Sequence, residues 1–172
     1  MSLRGHHKAA GASVQMTTLL VVRIGHNLYA LPSKEVRGVL TKEEVGNSKV
    51  VNALGLTYRD MDLASRLSQT VDQQNSEGRT VLYSNGQTHG AIRVDEVVDM
   101  IDVKKDDCKS LPPQFQGDER AWIAGTTIFR NQLALILNPE WVLGEIGEID
   151  SVSSADAGHR QTAYSEVPGA AC

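Results

Sequence analysis

A mainly β protein, built as two small five-stranded barrels of the SH3-like or OB-like kind packed side by side with short helices, follows from three observations on the 172-residue chain. The sequence contains an internal repeat, its apolar residues come in short runs punctuated by turn residues, and no segment has room for a long crossover helix. Residues 19–40 (LLVVRIGHNLYALPSKEVRGVL) align without a gap on residues 80–101 (TVLYSNGQTHGAIRVDEVVDMI) at a shift of 61, which brings Gly25 onto Gly86, Ala30 onto Ala91, Glu35 onto Glu96 and Leu40 onto Ile101. Residues 58–67 align on 134–143 at a shift of 76, which brings Asp62 onto Asn138. Closing each short-stranded half into a barrel removes the exposed sheet edges it would otherwise present.

The elements follow in order. Residues 19–24 form a continuous apolar run rich in β-branched side chains, stopped by Gly25-His26-Asn27, and residues 28–31 resume it until Pro32. Strand, tight turn, strand is the pattern this predicts. The second half repeats it around Asn85-Gly86, the strongest short hairpin signal in the chain. Each hairpin leads into a segment with apolar residues at i, i+3 and i+4: Val36, Val39 and Leu40, then Val97, Met100 and Ile101. That spacing predicts a helical turn with one buried face, although Gly38 and the valines favour a turn running into a strand equally well. A later hairpin in each half flanks Leu54-Gly55 or Arg130-Asn131-Gln132, and Asp62 and Asn138 stand where a strand gives way to a short helix, as N-caps. Between the matched blocks the first half has residues 41–48 and the second has 102–124, which include Leu111-Pro112-Pro113.

Segments 1–16 and 144–172 are polar and aperiodic and are expected to be tails. A net charge of −4 and eight aromatic residues argue against a nucleic-acid surface or a stacking groove for single strands. No apolar run approaches a membrane span, no signal-peptide core stands at the start, and Cys108 and Cys172 lie in unlike contexts, so a cytoplasmic location without structural disulfides is expected. No phosphate-binding loop, nucleophile elbow, zinc-protease or paired-cysteine motif occurs. His6-His7 lacks a third ligand, His26 and His89 read as turn residues, and Cys108 has no histidine partner. Asp60 and Asp62 alternate on one strand face, but Asp62 is better used as a cap. The reading is therefore of a non-enzyme with no cofactor and no metal. What remains is surface: a cleft between the barrels, lined by the surplus apolar residues of the two repeated segments, would suit an amphipathic helix or peptide.

With these residues in hand, residues 17–143 resemble the CheW family of chemotaxis coupling proteins. The resemblance is carried by LPSKEVRGVL, by Asn52-Ala53-Leu54-Gly55 followed by Met61-Asp62-Leu63, by GAIRVDEVVDMI, and by LPPQF with WIAGTTIFRNQLALILNPEWVL. It implies a first barrel over about 17–79 and a second over about 80–143, the two interlocked, with exchange of strands between them left open. It further implies a bacterial scaffold, of chemotaxis or surface motility, that links the cytoplasmic tip of a methyl-accepting type chemoreceptor to the regulatory domain of a histidine kinase. Val36, Val39, Val97 and Met100 are then candidates for the receptor groove, and Leu54, Gly55, Tyr58 and Arg59 for the kinase face. Four features depart from the family pattern in the first half: Leu54 stands for an Arg, Lys49 for a Gly, Gly38 for a common Glu, and the 41–48 connector is short. Asn138 for the usual Asp is milder, since both cap. A free-standing barrel that binds a peptide, a small ligand or another domain of its own kind, with kinase coupling lost, is the alternative.

Overall fold

The computed structural model describes residues 14–46, 48–69 and 78–144; the tail segments with His6, His7 and Cys172, residue 47 and residues 70–77 lie outside the described residues. The first half runs β1 (Met16–Ile24), β2 (Asn27–Pro32), β3 (Val36–Thr41), α1 (Lys42–Val45), β4 (Val50–Ala53), β5 (Leu56–Met61) and α2 (Leu63–Arg66). The second runs β6 (Arg79–Ser84), β7 (His89–Val94), β8 (Glu96–Lys104), α3 (Glu119–Trp122), β9 (Ile123–Phe129), β10 (Gln132–Leu137) and α4 (Pro139–Val142). The protein is mainly β, in two curled five-stranded sheets with short helices.

Strand order is β8-β1-β2-β10-β9 in one sheet and β3-β6-β7-β5-β4 in the other. Each sheet thus has the opening hairpin of one half at its centre and the third strand and closing hairpin of the other half on its flanks. Under the repeat the two orders are the same arrangement, and the parallel pairs β2–β10 and β5–β7 correspond. This exchange explains why apolar residues stand at consecutive positions of the opening hairpins. Leu20, Val22, Ile24, Tyr29 and Leu31 face a central core shared with Val81, Tyr83, Ile92 and Val94 of the other sheet. Their alternate neighbours face the concave side of their own sheet: Val21 and Leu28 pack with Phe129 and Ala134, and Leu19 and Ala30 with Ile136. A strand with both faces covered has no polar side to show.

The short helices fasten the same core. Asp62 and Asn138 cap α2 and α4, accepting from the amides of Ser65 and Glu140, as their residue types predict. Leu63, Ala64 and Leu67 beside α2, and Val142 and Leu143 beside α4, enter the central cluster. Arg66 then ties one half to the other: it donates to the carbonyls of Trp141 (2.6 Å) and Val142 (3.2 Å) and lies over the Trp141 ring at 3.9 Å.

The i, i+3, i+4 segments are strands, not helical turns, and the spacing has a specific cause. The register of β3 against β6 slips between Val36 and Gly38, leaving Arg37 as an extra residue, and that of β8 against β1 slips at Val98, the residue 61 positions on. One bulged residue turns a two-residue period into a three-residue one. Val36 and Val39 therefore sit opposite Tyr83 and Val81, and Val97 and Met100 opposite Val22 and Leu20, all four partners belonging to the central core. Leu40 and Ile101 fall on the opposite, concave face.

Because hairpin β6–β7 is central to one sheet and lines the shared core, the two sheets are expected to unfold together. Ile92→Ala should cost about 2–5 kcal/mol and leave a single denaturant transition reported alike by Trp fluorescence and far-UV circular dichroism. Separate transitions for the two probes would contradict the shared core.

Candidate functional site

Two apolar strips lie on the outer strands β3 and β8 of the two sheets. Val36 and Val97 are half-buried and pack against the central core, while Val39 and Met100, one step outward on the same faces, are 41 % and 56 % exposed. The strips are repeat mates, and β3 and β8 are each the outer strand of their sheet. The bulges at Arg37 and Val98 are what aim all four side chains toward the central face rather than into the concave one. Arg37 itself donates to the Ser84 carbonyl at 3.1 Å, which pins the bulge in place.

The β4–β5 tip carries the other candidates. Leu54 and Gly55 both have positive φ (54° and 74°), as the two central residues of a hairpin turn that follows the strand twist. Leu54 is 69 % exposed, with Leu56 exposed next to the turn and Val50 exposed at the far end of β4. Arg59 is exposed opposite Val50. Tyr58 is placed differently: its side chain is fully buried with Val51, Leu82 and Ala91, and its hydroxyl finds no partner. Strand alternation turns Tyr58 inward when Thr57 and Arg59 face out, so it supports the hairpin from beneath.

The matching tip in the second half, Arg130-Asn131, has the same left-handed pair of residues (φ 47° and 63°). There Arg130 pairs with Asp99 at 3.0 Å and lies over the Phe129 ring at 4.7 Å. The sequence held a sign of this pair, since Arg130 and Asp99 stand at the repeat positions of Leu54 and Gly38.

Groups with chemical potential are otherwise engaged. Asp60 lies 3.5 Å from Arg93, and Asp62, held below the usual carboxylate range by hydrogen bonds from Ser65, is a cap. Ser84 and His89 share a 2.7 Å hydrogen bond at the base of the β6–β7 turn, where the Ser84 hydroxyl also accepts from the Gly86 amide; the pair closes a loop. Burial, and then the Asp107 charge, raise the Cys108 thiol above its ordinary value, the reverse of activation. Among the described residues no three ligand-type side chains gather to hold a metal, and no helix is long and apolar enough to cross a membrane. A cleft of about 490 Å³ lies at the far end of β8, lined by Met16, Val103, Lys104, Asp107, Lys109 and Ile128 among others, with none of the four strip residues in its lining.

Residues 18–147 match the family model described as CheW-like domain. Among solved structures, the scaffolding protein TtCheW from Thermoanaerobacter tengcongensis is similar in fold, with a TM-score of 0.60 at 17 % identity, over 72 % of this chain and 90 % of that one. No curated protein sequence matches the chain.

Two substitutions test the local geometry. Leu54→Asn, which places an amide tolerant of positive φ beside Gly55, is expected to stabilise the protein by about 1 kcal/mol, or about 2–4 °C in Tm. Asp62→Ala should cost about 1 kcal/mol of helix capping. Because the folded pKa of Asp62 is lowered, that difference should be fully present above the ordinary carboxylate range and shrink as pH falls below about 4. A urea-unfolding series with pH would show a constant difference if the cap were not ionised.

Proposed function

Since the chain belongs to the CheW-like domain family, we propose that it is a non-enzymatic scaffold linking the cytoplasmic helical tip of a chemoreceptor to the regulatory domain of a chemotaxis-type histidine kinase. The observation that carries this reading is the pair of edge strips. Val36 and Val39 on β3, with Val97 and Met100 on β8, extend the central apolar core to the surface at two repeat-related places. An amphipathic helix recognises such a surface by inserting a few apolar side chains at i, i+3 and i+4 spacing. Affinity then rests on a small number of buried anchors. A scaffold of this kind works in the cytoplasm, at receptor arrays, with no cofactor.

The kinase-facing surface in this reading is the β4–β5 hairpin, with Leu54 and Gly55 at its tip and Arg59 exposed at its base beside β7. An arginine at position 54 would offer a planar fork of donors to a carboxylate, and leucine offers none. The chain therefore engages its kinase through apolar contact at this tip. The second reading, a binding module that has given up kinase coupling, is favoured by the same residue.

Size-exclusion chromatography of the chain with a receptor tip fragment and with the kinase regulatory domain separates these readings. Co-elution with both at tens of micromolar is expected. Val39→Asp with Met100→Asp should remove receptor binding by at least tenfold and leave the circular dichroism unchanged, while Leu54→Asp should weaken the kinase arm alone. Receptor binding without kinase binding selects the second reading, and binding to neither overturns both.

A further inference from the structure

The two halves differ in how their sheets are closed. In the sheet ordered β8-β1-β2-β10-β9, strands β8 and β9 are the two edges, yet the chain joins them at two places. At one end Lys109, just past β8, makes a bridge to Thr126 of β9, with N–H···O distances of 2.8 and 2.7 Å in the two directions. At the other end Asp99 of β8 holds Arg130 of the β9–β10 turn at 3.0 Å. The second sheet has edges β3 and β4. At its first end the short connector passes through α1 directly into β4, and Leu40, Val45 and Ala53 pack against the concave core there. At its other end the positions that match Asp99 and Arg130 are Gly38 and Leu54, which cannot form an ion pair.

We propose that Asp99–Arg130 is a latch that fixes the β9–β10 tip to the far edge of its sheet, and that Gly38 and Leu54 leave the β4–β5 tip unlatched, so that β4–β5 is the hairpin that moves. The latch is built from an ion pair and from the Arg130 guanidinium resting on Phe129, a buried residue of that sheet's concave core. The unlatched corner is not a consequence of crowding. A Cβ at Gly38 would meet only the Leu82 side chain, at an ordinary 3.7 Å, and the backbone at Leu54 (φ 54°) resembles that at Arg130 (φ 47°). The latch could therefore be grafted onto the first half without rebuilding its backbone.

Amide hydrogen exchange on the full chain alone tests this, without any partner, and so is independent of the function proposed above. The turn amides of Arg130, Asn131 and Gln132 should exchange more slowly than those of Leu54, Gly55 and Leu56. Asp99→Asn should speed the first set by about 1.5- to 5-fold, the range of an exposed ion pair, and leave the second set unchanged. Salt at about 0.5 M should act on the same set only. Gly38→Asp together with Leu54→Arg should slow the second set by a similar factor, with neither substitution sufficient by itself. If the graft fails to fold, the cycle of Asp99→Asn and Arg130→Gln decides: a double variant no faster than Arg130→Gln alone supports the latch. Additive effects, or an Asp99→Asn change felt equally at both tips, would overturn it.

Discussion

Burying a β-hairpin on both faces constrains everything around it, because each face needs its own apolar cover and neither can be left to solvent. Two hairpins here, β1–β2 and β6–β7, carry that constraint. Each presents one face to the shared central core and the other to the concave side of its own sheet. No single half of the chain can supply both covers, since its third strand and closing hairpin are already committed to the other sheet. The halves are therefore stable only together. The shared core, the cross-half contacts of Arg66 and the placement of α2 and α4 all follow from that mutual dependence.

The edge strips are a product of the same arrangement. A regular strand flanking a two-sided hairpin would alternate strictly, and Val36 and Val39 would point to opposite faces. The bulges at Arg37 and Val98 break the alternation once in each half. They bring a half-buried valine and an exposed apolar residue onto the central-facing side, so that the core continues to the surface at the sheet edge. A bulge also twists an edge strand away from flat pairing, which protects an edge that ends in exposed Val39 or Met100 from indiscriminate strand addition.

Much of this was legible in the sequence. The apolar run at 19–24, the left-handed Gly55 and Asn131, and the caps Asp62 and Asn138 each depend on local chemistry, and each stands where the residues placed it; that Leu54 shares the left-handed conformation is not a property of leucine and shows only in the structure. The repeat gave the equivalence of the halves. The helical reading of Val36, Val39 and Leu40 failed because a bulged strand and a helical turn share the i, i+3 spacing, and only the partner strand distinguishes them. The inward position of Tyr58 is a matter of strand phase, which a four-residue strand beside it cannot specify from composition. Partition of the strands between the sheets is equally silent locally: a strand paired within its half and one paired across it have the same alternation. The helix α1 lies in the connector, and its signal was present in the sequence as Thr41-x-x-Glu44, the spacing of a capping box.

The difference between the two closures bears on how a partner would meet the protein. A tip held by an ion pair and an aromatic ring presents a fixed shape, and docking against it loses little chain entropy. A tip with two left-handed residues and an exposed leucine gains more by being covered, but must be ordered in the process. The second half also keeps a long connector folded on itself, with Arg120 donating to the carbonyls of Phe115 and Pro112, whereas the first half turns its corner within α1. Rigidity is thus concentrated in one half of a duplicated fold. The other half retains the same strand order with an apolar tip at Leu54.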